Sequence, residues 1–213
     1  MCYNPTVSLN TFLFGLGVAC LAYYTKIIPN YSIIILLSFS AMQLLEFFAW
    51  TYYNNKKINR ILSIIGMIII ITQVILLNYY LPDKKIRNIL LFLIFIFLLL
   101  FIIIDLKNVN FSMKRGENKH LIWYWLDLPL IWIIIGLSFY LIPVYLYGNL
   151  LTILFMITIL VISLYFYWKY KTWGTMWCYF SNLLWLYVLF MIIIKKKNDF
   201  LIYNHNRSNN AYY

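Results

Sequence analysis

One carboxylate, Glu46, lies well inside a long apolar stretch of this sequence, beside residues that could share its chemistry. The stretch 31–53 is long enough to cross a bilayer as a helix. A charged side chain at that depth costs about 3 kcal/mol, so a carboxylate kept there is a functional-site hypothesis by default. Gln43 and Trp50 fall on the same broad face, because helical steps of three, four and seven residues return near one azimuth. We therefore predict a polar stripe on this helix that faces the protein interior.

A second stripe occurs in the last apolar run, where Cys178, Ser181 and Asn182 recur at helical spacing with Gly174 and Trp185. Together the two stripes could support proton or cation handling, ligand coordination, or general acid–base chemistry. The alternative is purely structural. In that case a protonated Glu46 hydrogen-bonds between helices, and Asn182 with its small neighbours only packs.

The elements that must position these residues are seven apolar runs, which predict an all-α, polytopic transmembrane bundle. We predict spans at about 7–24, 31–53, 61–80, 88–104, 128–147, 149–168 and 173–194. The uncharged stretch 128–168 is twice the length of one helix, and we place a turn in it at Pro143, Gly148 and Asn149. Without that turn the chain would have six spans.

The composition excludes a soluble globule, because 64% of the 213 residues are hydrophobic, 11% are charged and the mean hydropathy is +0.82. The formal charge of +11 lies between the apolar runs, where it can meet lipid phosphates, so we expect a lipid bilayer as partner and no nucleic acid. With seven spans the basic residues divide nine to eight between the two faces, which leaves the orientation open. Three cysteines are too few for a disulfide framework.

Two spans carry packing information. The first has small residues at helical spacing, which predicts close approach of a neighbouring helix: Thr11, Gly15, Ala19 and Ala22. The fourth span has almost no polar or small residue, and we expect it to face lipid on most sides. We assign 1–197 to a single transmembrane domain and 198–213 to a polar tail.

Topology gathers the candidate residues on one side, because the second span ends at the N-terminal face and the third, fifth and seventh begin there. We predict a pocket open to that face, with these candidate ligand-binding residues: Cys2, Gln43, Glu46, Trp50, Arg60, Asp127, Cys178, Ser181 and Asn182. Arg60 or Lys119 would supply a countercharge for Glu46 or Asp127. Asp127, just before Pro129, is also suited to cap the fifth helix. No spacing typical of a metal site occurs, so we assign no metal ligands.

Several short motifs resemble an uncharacterised family of small multi-pass membrane proteins from large DNA viruses and bacteria. They are the start Met1-Cys2-Tyr3-Asn4, Gln43-Leu44-Leu45-Glu46 with Trp50, Asn59-Arg60, Trp125-Leu126-Asp127-Leu128-Pro129, and Trp177-Cys178 with Ser181. Tyr3 departs from the tryptophan common in that family. The resemblance implies a viral membrane protein in a host or virion membrane and adds no reaction or cofactor.

Three functions remain open from the sequence. We favour binding or transport of a small molecule, ion or lipid in the predicted pocket. The first alternative is a membrane enzyme that uses Glu46 or Asp127 as acid or base with Cys178 as nucleophile. The second is a structural membrane protein without a ligand. The cofactor, if there is one, is not indicated.

Overall fold

The structure is a computed structural model that describes residues 4–148 and 150–195. The predicted site residue Cys2, the turn residue Asn149 and the polar tail 198–213 lie outside the described residues. Within them, seven helical stretches are long and apolar enough to cross a bilayer. The chain is therefore an integral, multi-pass, all-helical membrane protein, as the sequence predicted.

The helices agree with the predicted spans to within a few residues. They are α1 (Pro5–Thr25), α2 (Asn30–Thr51), α3 (Lys56–Tyr79), α4 (Lys84–Ile104), α5 (Leu130–Tyr147), α6 (Leu150–Tyr167) and a last span, Trp173–Lys195, whose first segment is α7 (Trp173–Ser181). Asn4, Asn55 and Asp83 cap the helices that follow them, since each side chain accepts a backbone N–H of the first turn. Apart from the 105–129 connection, the connections between spans are short, so the helices that they join are antiparallel neighbours.

The predicted turn between the fifth and sixth spans is present, but Pro143 does not belong to it. Pro143 lies inside α5, and Gly148 ends that helix with its N–H donating to the Val144 carbonyl at 2.8 Å. A proline inside a helix removes one backbone donor without ending the helix where neighbouring packing holds it.

α1 packs on α2 through the small-residue stripe, which buries Gly15, Ala19 and Ala22 together with Val18. α4 buries only three of its residues, Leu90, Ile94 and Phe101. Its other faces are apolar and exposed, as expected for a helix that faces lipid.

The connection between α4 and α5 forms a hairpin, which the sequence analysis did not predict. β1 (Met113–Arg115) pairs antiparallel with β2 (Leu121–Trp123), so that Met113 lies opposite Trp123. The turn between them starts at Gly116, whose N–H donates to the His120 carbonyl at 2.7 Å. Lys119 closes the turn in the left-handed region, with φ 63°.

Side chains of the bundle hold the buried backbone of this hairpin. The Asn59 amide of α3 donates to the Met113 carbonyl at 3.0 Å and accepts the Met113 N–H at 2.8 Å. The Thr175 hydroxyl of α7 donates to the Leu121 carbonyl at 3.0 Å. These bonds satisfy backbone groups that would otherwise be buried without a partner.

The hairpin reaches into the bundle through Trp123, which is 1% exposed. A Cβ atom added to Gly66 of α3 would lie 2.9 Å from the Trp123 ring, so the ring rests directly on that glycine. At about 1.5 Å per residue, Gly66 lies about 15 Å along α3 from its first residue. The segment 113–123 therefore enters the N-terminal half of the bundle.

The burial of His120 predicts that the hairpin is sensitive to acid. The side chain is 1% exposed and its ring contacts that of Tyr167, with 5.4 Å between centroids. Burial lowers the pKa of His120 from 6.5 to about 4. Between about pH 4 and pH 6.5 the unfolded chain binds a proton at His120 that the folded chain does not. The stability that depends on a neutral, buried His120 is therefore fully present above pH 6.5 and is lost as the pH falls towards 4.

We expect the thermal unfolding midpoint in detergent to fall more between pH 7 and pH 5 for the wild type than for His120→Phe. Phenylalanine keeps an aromatic ring against Tyr167 and cannot titrate. The measurement is, for each protein, the unfolding midpoint at pH 7 minus the unfolding midpoint at pH 5. An equal fall in both would show that another group causes the acid sensitivity.

Candidate functional site

The two predicted polar stripes face each other in the interior. Gln43 and Glu46 of α2 are both 0% exposed. Cys178 of α7 is 4% exposed and lies close enough to Glu46 to interact with it electrostatically. A buried carboxyl and a thiol from two distant parts of the sequence therefore share one region of the bundle.

One helical turn further along, a hydrogen-bonded network joins the same two spans. Ser40 of α2 donates to the Asn182 side-chain oxygen at 2.7 Å and accepts the Trp185 indole N–H at 2.8 Å. All three side chains are buried, at 0%, 5% and 1% exposure. Asn182 therefore bonds across helices, as the structural interpretation of this stripe predicted.

Asn182 also changes the course of the last span. Its side-chain N–H donates to the Cys178 carbonyl at 2.8 Å, while its backbone N–H turns to the Tyr179 carbonyl at 3.1 Å. The side chain thus replaces the backbone donor that a regular helix would offer to Cys178. The helix tightens at this point, because Leu183 and Trp185 also donate to carbonyls three residues earlier.

Of the remaining predicted residues, Trp50 packs against the apolar cluster that includes Cys178. Ser181 is buried but donates to the Trp177 carbonyl of its own helix at 2.8 Å. Arg60 is exposed, and within the described residues no ion pair joins Arg60 or Lys119 to Glu46. The described residues therefore show no pairing of Arg60 or Lys119 with Glu46 or Asp127, and the countercharge stays a prediction.

The predicted helix cap at Asp127 is wrong. α5 begins at Leu130 with Pro129 before it, and the exposed Asp127 carboxylate instead forms an ion pair with Lys171. The proline between Asp127 and the helix moves the first turn beyond reach of that side chain. Lys171, which follows α6, supplies a partner that is distant in the sequence.

On the N-terminal side of the bundle the hairpin packs over Leu45, Leu62 and Cys178. A cavity of about 140 Å³ lies beside it, between α3, α4, α5 and α7. Its wall includes Ile70, Ile94, Phe97, Gly136, Trp125 and Trp177. Of the eight predicted site residues that the structure describes, only Cys178 lines it.

Aromatic rings bridge α4 and α5 beside the cavity. Phe97 of α4 contacts Trp132 and Phe139 of α5, with centroids 5.4 and 5.6 Å apart, and Phe101 contacts Trp132 at 5.7 Å. The Trp132 indole N–H donates to the Asp105 carboxylate. The contact between α4 and α5 is therefore formed by aromatic rings, and the Trp132 ring is also held by the hydrogen bond that its indole N–H donates.

Sequence reasoning missed this cavity because its residues look ordinary. Tryptophans such as Trp125 and Trp173 are common near the ends of membrane spans whatever they contact, and apolar residues inside a span do not reveal which neighbours they meet. A usable signal was present in α5, where Gly136 is the only residue without a side chain in 130–147. Such a gap beside Phe97 leaves space that bulkier residues would fill.

A second, polar depression borders the cavity at Leu128, which lines both. It has a volume of about 350 Å³ and is lined by Asp105, Asn108, Asn110, Tyr124 and Asp127. Both carboxylates have partners, since Asp105 accepts from Trp132 and Asp127 pairs with Lys171. Within residues 4–148 and 150–195, no three His, Cys, Asp or Glu side chains come together as a metal site would require.

No protein-family model, curated protein or solved structure matches this chain. The resemblance to the viral and bacterial membrane family therefore rests on the short motifs alone and stays a prediction.

Two glycines of α1 provide a matched test of the Ser40–Asn182–Trp185 network. A Cβ atom at Gly15 would lie 2.6 Å from the Ser40 hydroxyl oxygen and 2.8 Å from the Trp185 indole nitrogen, whereas Gly17 has nothing within 4 Å. We expect Gly15→Ala to destabilise the protein by about 1–3 kcal/mol through overpacking. Gly17→Ala should be neutral or stabilising, since alanine favours the helix.

The measurement is the free energy of unfolding of the wild type and of both variants in the same detergent. Equal stability of the two would show that α1 does not press on this network.

Proposed function

We propose that this protein binds a small apolar molecule, or the hydrocarbon chain of a lipid, in the cavity between α3, α4, α5 and α7. The observation that carries the proposal is a cavity of about 140 Å³ with an almost wholly apolar and aromatic wall. The cavity is partly open at the surface of the bundle, so a molecule dissolved in the bilayer can enter it. Small-molecule sites in proteins are typically concave and lined mostly by apolar and aromatic side chains.

The wall selects an uncharged ligand. No charged side chain of the described residues lines the cavity, and its hydroxyl groups on Tyr140 and Thr175 already donate to protein oxygens. Burying an unpaired ion in such surroundings is very costly. Among the ligands expected from the sequence, the cavity thus favours a small molecule or lipid over an ion.

The volume of the cavity and the route into it both agree with an uncharged, apolar ligand. An apolar cavity of about 150 Å³ in a protein can hold one benzene molecule, so this cavity suits a single ring or a short length of chain. The exposed faces of α4 and α5 beside it are apolar, for example at Phe95 and Ile134. A ligand dissolved in the bilayer would meet the seam between these helices without crossing water.

The two alternatives have less support. Thiol nucleophiles use a positive neighbour, whereas the electrostatic neighbour of Cys178 is the Glu46 carboxyl group. Asp127, the other acid expected for an enzyme, is paired with Lys171. A purely structural role gives no reason for the cavity. The motif resemblance supports a host or virion membrane as the location.

Gly136 offers a way to fill the cavity from one position. The nearest atom to a Cβ added there is the Phe97 ring carbon at 4.0 Å, so α5 can accept a side chain without a clash at its first carbon. We expect Gly136→Leu to weaken binding of bromobenzene at least about tenfold, which corresponds to about 1.4 kcal/mol. The measurement is the saturable part of tryptophan quenching by bromobenzene in detergent, since tryptophans line the cavity.

Gly17→Leu is the matched control, because it adds the same side chain to a helix surface with open space around it. This variant should bind bromobenzene like the wild type. Unchanged binding by Gly136→Leu, or an equal loss in Gly17→Leu, would overturn the proposal. Circular dichroism of both variants verifies that the helices are intact.

A further inference from the structure

A cluster of basic side chains forms where the hairpin meets the first turns of α3. Asn59 joins the two elements, because its side chain accepts the Met113 N–H at 2.8 Å and donates to the Met113 carbonyl at 3.0 Å. The same amide donates to the Tyr53 carbonyl at 3.1 Å, which ties in the connection before α3. The basic residues beside this junction are all exposed, and we call them the basic patch: Lys56, Lys57, Arg60, Lys114 and Arg115.

The basic patch is produced by the fold, because its two parts come from segments far apart in the chain. Asn59 and Met113 are separated by 54 residues. Arg60 and Lys114 each lie one residue from that bonded pair, and consecutive Cα atoms are about 3.8 Å apart. Because both side chains are long, charged groups from α3 and from the hairpin can reach the same bound anion.

The described residues leave the charge of the basic patch unpaired. Within residues 4–148 and 150–195, the one ion pair joins Lys171 to Asp127, and no member of the patch takes part in it. The carboxylate of the hairpin turn, Glu117, forms no ion pair with the patch either. Lys56 and Lys57 also lie at the positive end of the α3 dipole, where added positive charge is unfavourable unless an anion is close.

The basic patch lies at the level of the lipid headgroups. The sequence of α3 after Arg60 has no charged residue, and the helix is long and apolar enough to cross a bilayer. Its charged first turns therefore belong at the boundary between membrane and water. Phosphate groups occupy that level, and arginine binds phosphate with two parallel hydrogen bonds while lysine adds a point charge.

We infer that the basic patch binds the phosphate group of an anionic phospholipid, which Arg60 of α3 contacts from one side and Lys114 and Arg115 of the hairpin contact from the other. No member of the patch lines the apolar cavity, so this inference is independent of the proposed function. Nucleic acid also carries phosphates, but lipid phosphates already surround a patch at this level of the bilayer. Basic residues close to a membrane surface favour anionic over zwitterionic lipid.

Phosphatidylglycerol and phosphatidylcholine with the same acyl chains are matched probes, because they differ in the net charge of the headgroup. Equal amounts of the two lipids are added to the purified protein in detergent, and native mass spectrometry gives the ratio of the two lipid-bound forms. We expect the wild type to favour phosphatidylglycerol at least about fivefold, which is the effect of about one basic residue at a membrane surface. Raising the ionic strength should lower this preference.

The triple variant Arg60→Gln/Lys114→Gln/Arg115→Gln removes three positive charges from the basic patch and should bring the lipid ratio close to one. Arg60→Lys/Arg115→Lys keeps these charges and should keep most of the preference. Circular dichroism of each variant verifies that the helices are intact, so that a lost preference reflects the lost charge.

Lys84→Gln/Lys85→Gln/Arg87→Gln is the matched control. It also removes three positive charges from the start of a membrane span, but these charges belong to one helix end, that of α4. This variant should favour phosphatidylglycerol as the wild type does.

Three results would overturn the inference. The first is equal binding of the two lipids by the wild type. The second is an equal loss of preference in both triple variants, which would assign the preference to net charge and not to the basic patch. The third is a wild type without lipid preference that binds a labelled single-stranded RNA through the same three residues, which would make the patch a nucleic-acid site.

Discussion

The contact between Trp123 and Gly66 is the constraint on which the rest of this architecture depends. A hairpin can enter a membrane bundle only if its backbone groups find partners inside the protein, and Asn59 and Thr175 supply them. Gly66 then lets the Trp123 ring approach α3 closely. With the ring in place, the hairpin occupies the N-terminal side between α2, α3 and α7, and the neighbouring Trp125 becomes part of the cavity wall.

The polar interior has a different role from the one its composition suggested. Ser40, Asn182 and Trp185 join the second and last spans, and Gly15 of α1 packs against them. Asn182 also takes over a backbone hydrogen bond and so tightens the last span at that point. Of the buried Glu46 and Cys178, only Cys178 reaches the wall of the apolar cavity. The Ser40–Asn182–Trp185 network and the apolar cavity are thus adjacent but separate.

Much of the membrane architecture could be predicted, and the site could be predicted only in part. Glu46 and Cys178 were placed in one half of the bundle because helix direction alternates with each crossing, and the structure brings them together. The predicted cap at Asp127 was wrong because Pro129 takes the N-cap position of α5, and the ion pair of Asp127 depends on which loops lie together in the fold. Lys171 reaches Asp127 through tertiary contact, while Arg60 stays at the surface. The local sequence does not show which loops are in contact in the fold.

The seven spans, the turn at Gly148 and the exposure of α4 follow from local sequence, because transfer of each segment into a bilayer depends on that segment's own residues. The entry of the 105–129 connection into the bundle and the cavity beside Gly136 depend instead on tertiary contacts. A cavity is the difference between the space that several helices enclose and the volume of the side chains that enter it. That difference depends on contacts between Phe97, Gly136 and Trp177, which lie far apart in the chain and follow no local periodicity.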